Sequence, residues 1–118
     1  MSLKVLIVDD AQVDRRNLER IVAAAGHRVL LAETGEEGVA RAKADRPDVI
    51  LMDVNMPELD GFAATRQLKA DASTKDIPVV FVTGKNQKAD LAWGRMLGAR
   101  AYVAKPYTRE QILAEVER

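Results

Sequence analysis

Cysteine is absent from the 118 residues. That excludes disulfides, thiolate nucleophiles and cysteine-ligated zinc, and it fits a reducing compartment. No apolar run approaches the ~18–20 residues of a membrane span. Met1-Ser2-Leu3-Lys4 passes straight into a strand-like run without the organisation of a signal peptide. An excess of charge of either sign is also missing. Lys+Arg and Asp+Glu both number 18, a formal net charge of zero. This argues against a nucleic-acid binder, which needs a basic face to neutralise phosphates. It also removes long-range steering as a basis for partner choice. Repeats, linkers and low-complexity segments are not seen either. The expectation is one cytoplasmic domain over residues 1–118, working through local charge.

What the chain does have is apolar residues, 47% of the total, enough at this length for a conventional core. They fall into short runs: Lys4-Val5-Leu6-Ile7-Val8, Val29-Leu30-Leu31-Ala32, Val49-Ile50-Leu51-Met52, Val79-Val80-Phe81-Val82 and Ala101-Tyr102-Val103-Ala104. Most are β-branched and lack alternation, as in strands covered on both faces. The fifth is the weakest and rests on its place in the series. Between the runs lie helical patterns. Val13, Leu18, Ile21, Val22 and Ala25 trace a face ending near Gly26. Thr34-Gly35-Glu36-Glu37 reads as a capping box opening a second helix that must end before Pro47. A third helix runs from about Phe62 to Ala70, after an Asp60-Gly61 turn. The fourth carries Leu91, Ala92, Met96 and Leu97. The box Thr108-Arg109-Glu110-Gln111 opens a fifth. Five strand–helix units in this length predict an α/β fold, a parallel sheet with helices on both faces.

Polar residues recur at the strand ends: Asp9 and Asp10 after the first, Asp53 after the third, Thr83 at the fourth and Lys105 at the fifth. In a parallel sheet these ends share one edge, where ligands gather. Three converging carboxylates repel unless positive charge sits among them. Lys105 supplies one charge and a divalent cation would supply the rest. Oxygen ligands suit Mg²⁺, which takes one or two carboxylates and completes its shell with water and phosphate. Phosphoryl transfer to a carboxylate uses such a set, because it needs alignment and charge neutralisation more than covalent assistance. Asp53, the central acid at the end of a buried strand, is the candidate nucleophile. Asp10, with Asp9 behind it, would hold the metal, and Thr83 and Lys105 would each contact a phosphoryl oxygen. Singly, each has a plain structural explanation as a cap or turn former. Their joint placement at four strand ends makes coincidence a poor account.

The segments Val5-Leu6-Ile7-Val8-Asp9-Asp10, Asp48 to Pro57 with Asp60-Gly61, Pro78 to Gly84, Gly98-Ala99 and Lys105-Pro106 resemble the receiver domains of two-component response regulators. The resemblance spans essentially the whole chain. It implies the CheY-like (βα)5 fold with strand order 2-1-3-4-5, and Asp53 as phosphoacceptor. Asp10 would bind Mg²⁺ directly, Asp9 mainly through water, and the main-chain carbonyl of Asn55 would complete the protein ligands. Thr83 and Lys105 match the family's hydroxyl and lysine, and Tyr102 its switch aromatic. Pro106 matches a position where the family has a cis peptide, a form costing an X-Pro bond only about 0.5–1 kcal/mol.

The resemblance further implies a histidine kinase or phosphotransfer protein as phosphate source. A downstream protein would read the surface formed by the fourth helix, fifth strand and fifth helix. No direct nucleic-acid or membrane partner is expected, and the chain would be a monomer or a weak phosphorylation-dependent dimer. Trp93, the single tryptophan, is read as packed partly on the sheet. Its surroundings, through Gly98-Ala99-Arg100, look like the single-domain receivers of pilus-linked chemosensory systems. The domain would then be a signalling phosphoacceptor rather than an enzyme, its phosphate lifetime tuned by Asn55 and Lys85. One variant is a receiver cut from a longer regulator or hybrid kinase. An aspartyl-phosphate phosphohydrolase fits less well, because Asn55 stands where such enzymes carry a second acid. A flavin domain is disfavoured by the acidic first loop.

Overall fold

The computed structural model describes residues 2–118. Ten elements alternate along the chain: β1 (Lys4–Val8), α1 (Gln12–Ala24), β2 (Arg28–Ala32), α2 (Gly35–Asp45), β3 (Val49–Met52), α3 (Gly61–Ala70), β4 (Val79–Thr83), α4 (Lys88–Met96), β5 (Ala101–Ala104) and α5 (Arg109–Val116). The strands form one parallel sheet in the order β2-β1-β3-β4-β5. The strand order reverses between β1 and β3, and that is the crevice where ligands of open α/β sheets collect.

Each strand presents alternate residues to opposite faces, so one continuous apolar run feeds two cores. Leu6, Val8, Ile50, Met52 and Phe81 pack with Val39 and Ala42 of α2 and Ala64 and Leu68 of α3. Val5, Ile7, Val49, Leu51, Val80 and Val82 pack with Leu18 and Val22 of α1 and Ile112 and Val116 of α5. The caps follow the expected chemistry with one change. Thr34 accepts from the Glu37 N–H at 3.0 Å, but the Glu37 carboxylate reaches the N–H of Glu33 rather than that of the cap. Thr108 and Gln111 close a complete reciprocal box.

Apolar periodicity misplaced some side chains. Val13, expected on the inner face of α1, is 81% exposed. Arg15 occupies the buried position instead, its guanidinium donating to the Asp9 carbonyl at 2.9 Å. In α4, Leu91, Trp93 and Met96 lie at the surface, with Met96 76% exposed. Gly94 is the buried residue of that helix. A Cβ there would stand 3.0–3.2 Å from the rings of Tyr102 and Phe81, so the helix approaches the sheet through its backbone. The Trp93 ring packs under the Arg66 guanidinium of α3, 5.6 Å from its centroid, and 38% of the residue stays exposed. No helix among the described residues is long and apolar enough to cross a membrane.

Candidate functional site

Asp9 and Asp10 follow β1 directly, Asp53 follows β3, Thr83 ends β4 and Lys105 follows β5. The β1–β3 register sets Val8 beside Met52, which brings the first three acids to one point of the sheet edge. One carboxylate oxygen from each of Asp9, Asp10 and Asp53 lies within 4.8 Å of the others. Asp9 and Asp53 are buried and Asp10 is exposed. Local turns fix the first two. Asp9 Oδ1 accepts from the Ala11 N–H at 2.9 Å, and Asp53 Oδ1 from the Asn55 N–H at 3.2 Å.

Their second oxygens share a cation. Lys105 Nζ lies 2.9 Å from Asp9 Oδ2 and 3.2 Å from Asp53 Oδ2. It also reaches Asp14 Oδ2, in the first turn of α1, at 2.9 Å. Asp14 was not among the residues expected from the sequence. The only signal was an acid five positions after Asp9, and its contact with Lys105 spans 91 residues of chain. Burial pushes the Asp9 carboxyl upward, against the pull of the Lys105 ammonium and the Ala11 N–H, and the Asp53 charge adds to the rise. Burial works to lower the Lys105 pKa, but its hydrogen bonds to Asp9 and Asp14 and the Asp53 charge outweigh it, so the ammonium is held above its ordinary range. The pocket keeps its anions crowded and its cation charged.

Thr83 is fully buried. Its hydroxyl accepts from the Lys85 N–H at 3.2 Å, so it is tied to the β4–α4 loop rather than to the acids. Tyr102 donates its hydroxyl to the Lys85 carbonyl, and its ring meets Phe81 at 5.6 Å. The two sides of Lys85 thus join the buried hydroxyl to the aromatic. The Lys85 side chain pairs with Asp90 at 3.3 Å. The Lys105–Pro106 peptide is cis, as expected. Asn55 is exposed in the loop after β3. That loop closes tightly on α3. A Cβ at Gly61 would fall 2.1 Å from the Asp53 carbonyl oxygen, a position only glycine can fill.

Hard oxygen donors gathered around a buried, crowded carboxylate suit Mg²⁺, and Asp9, Asp10 and Asp53 are the residues that fit it. The fold and this pocket together define a class, an open parallel α/β domain with an acidic, lysine-bearing site at its switch point. Residues 5–117 match the family described as response regulator receiver domain, and the chain belongs to that family. It is 48% identical to protein PilH of Pseudomonas aeruginosa over 96% of this chain and 93% of that protein. It also matches longer regulators, of which it spans 26% in one case and 49% in another. Among solved structures, the chemotaxis protein CheY4 of Vibrio cholerae superposes with a TM-score of 0.93 at 31% identity, covering 100% of this chain and 98% of that one. The receiver domain of a Pseudomonas aeruginosa sensor histidine kinase, described with magnesium coordinated in its active-site cleft, gives 0.91 at 30% identity, covering 100% and 97%.

Proposed function

We propose that residues 1–118 act as one receiver unit that accepts a phosphoryl group on Asp53 and changes a protein-binding surface in response. The observation that carries this is the shared contact of Lys105 Nζ with Asp53 and Asp9, within 3.2 Å of both, beside a third carboxylate. An Asp53 oxygen attacks the donor phosphorus, the bond from phosphorus to the donor breaks, and the leaving group keeps its electron pair. Lys105 meets the charge on the phosphoryl oxygens, and Thr83 supplies a hydroxyl to another. Asp9, Asp10, Asp53 and the Asn55 carbonyl would hold Mg²⁺, which would supply charge neutralisation.

Phosphorylation places nearly two negative charges at the sheet edge. When Thr83 turns toward the phosphoryl group, its bond to Lys85 is lost. Lys85 also receives Tyr102, so the loop carries the change to α4, β5 and α5. The exposed Leu91, Trp93 and Met96 support this surface as the one a downstream protein reads. A histidine kinase or phosphotransfer protein is the donor this reading requires. Likeness to PilH over nearly the whole of both chains favours a stand-alone receiver.

Incubation with acetyl phosphate and Mg²⁺, followed by intact mass, tests the reading. One phosphoryl adduct is expected on the wild type and none on Asp53→Asn. An unmodified wild type, or an equal adduct on the variant, sinks it.

A further inference from the structure

Lysine has three ammonium N–H donors and no acceptor. In this molecule three carboxylates surround them: Asp9 at 2.9 Å, Asp14 at 2.9 Å and Asp53 at 3.2 Å. A phosphoryl oxygen therefore gains a hydrogen bond from Lys105 only if one carboxylate gives one up. The three differ in what release costs them. The Asp9 and Asp53 side chains are 1% and 8% exposed, whereas that of Asp14 is 43% exposed and finds water at once. Leaving a buried carboxylate without its partner costs far more than releasing a wet one. Asp14 is the carboxylate that yields.

Resting on the phosphoacceptor reading above, we propose that Asp14 is a positioning residue that restrains Lys105 in the unphosphorylated state and slows phosphorylation of Asp53. Its own acidity does nothing to the phosphoryl group. It acts by occupying one donor of the ammonium and by adding a negative charge to the pocket. With Asp14, three carboxylates share one lysine; without it there are two. Transfer from acetyl phosphate forms the Asp53 O–P bond, breaks the P–O bond to acetate, and leaves a carboxylate of charge −1 as an acyl phosphate of charge about −2. The product is more negative than the reactant side chain, so a neighbouring anion opposes it. A purely local reading gives Asp14 another task, since an acid in the first turn favours a helix N-terminus. That task alone predicts an effect on the stability of α1 and none on the rate.

The experiment compares wild type, Asp14→Asn and Glu19→Gln in their initial rates with acetyl phosphate and Mg²⁺ by intact mass, at low and high ionic strength. Glu19→Gln removes the same charge from α1, and Glu19 is not among the three carboxylates around Lys105. The expected result is a rate about three- to fivefold higher for Asp14→Asn, the size set by a partly exposed ion pair. That gain shrinks in high salt, and Glu19→Gln keeps the wild-type rate. In Mg²⁺-free protein, hydrogen exchange of the Lys105 ammonium followed by NMR is expected to be faster in Asp14→Asn. An Asp14→Asn rate equal to or below the wild type, with the variant folded, overturns the inference and leaves the phosphoacceptor reading standing. A wild type that takes no phosphoryl group on Asp53 overturns both.

Discussion

Lys105 holds together a set of charges that would otherwise separate. Asp9 loses hydration by burial, and its carboxyl is raised even with the lysine against it. A buried anion of this kind lowers the stability of the metal-free fold, and a cation among the carboxylates relieves it. Because a ligand that binds only the folded state stabilises it by mass action, Mg²⁺ is expected to raise the thermal midpoint of the wild type by several degrees. Asp10 is the exposed member of the cluster, so Asp10→Ala keeps the fold while removing most of that rise. Differential scanning fluorimetry with and without Mg²⁺ reads both. An equal Mg²⁺ shift in wild type and variant would assign the metal to other residues.

At the scale of elements, the β4–α4 loop is gripped through Lys85, from Thr83 on one side and Tyr102 on the other. Tyr102 sits on β5, where burial, then the Asp90 and Asp53 charges, raise its phenol to about 12. A phenol raised in the folded state favours the neutral, donating form. Its contribution to stability is fully present below about pH 10 and is lost as pH rises through about 12. Phenolate absorbance of Tyr107→Phe, which leaves Tyr102 as the one tyrosine, is expected to rise at a distinctly higher pH than free tyrosine. A midpoint near 10 would show that Tyr102 is not buried beside these charges. Tyr107 must be removed because burial raises it too. The same region explains the surface of α4. Gly94 brings the helix backbone onto Tyr102 and Phe81, which turns the larger apolar residues outward.

Taken as a whole, the molecule is closed at the edge opposite the pocket by its only histidine. His27, buried just before β2, accepts from the Leu3 N–H at Nδ1 (3.1 Å), and its Nε2 meets Glu117 at 2.8 Å. With Nδ1 as acceptor, the Nε2–H is the donor to Glu117. The residue thus ties the start of β1 to the end of α5, its contact with Glu117 spanning 90 positions. His27→Ala removes both bonds from a buried position and is expected to cost about 1–3 kcal/mol. Urea unfolding measures this cost. The amides of α5 are also expected to exchange faster, because its last turn loses its anchor. Unchanged stability would mean that water replaces the ring without loss.

Much of this architecture is legible in the sequence. Unbroken apolar runs such as Val49-Ile50-Leu51-Met52 can satisfy burial on two faces only in a covered parallel strand, which fixes α/β alternation. The caps at Thr34 and Thr108 are local chemistry, and each begins a helix where expected, while Asp60, read as part of a turn, caps α3 directly. That Asp9, Asp10, Asp53, Thr83 and Lys105 lie along one edge was legible because strand ends share it. The failures have one cause. Apolar spacing in α1 and α4 shows that a helix has an apolar stripe, but not whether the sheet or the solvent receives it. Val13 and Met96 therefore misled, while Arg15 and Gly94 took the inner positions.

What the sequence determined by itself, then, was most of what neighbouring residues decide: strand or helix, the caps at Thr34 and Thr108, turns, and which acids end which strand. Only the tertiary structure decided the contacts between distant segments. It brought Asp14 onto Lys105, placed Lys85 between Thr83 and Tyr102, and locked His27 to Glu117. The physical reason is that such contacts depend on how far each helix slides and rotates on the sheet. That is set by packing of the two cores as a whole, and no local pattern in the chain encodes it.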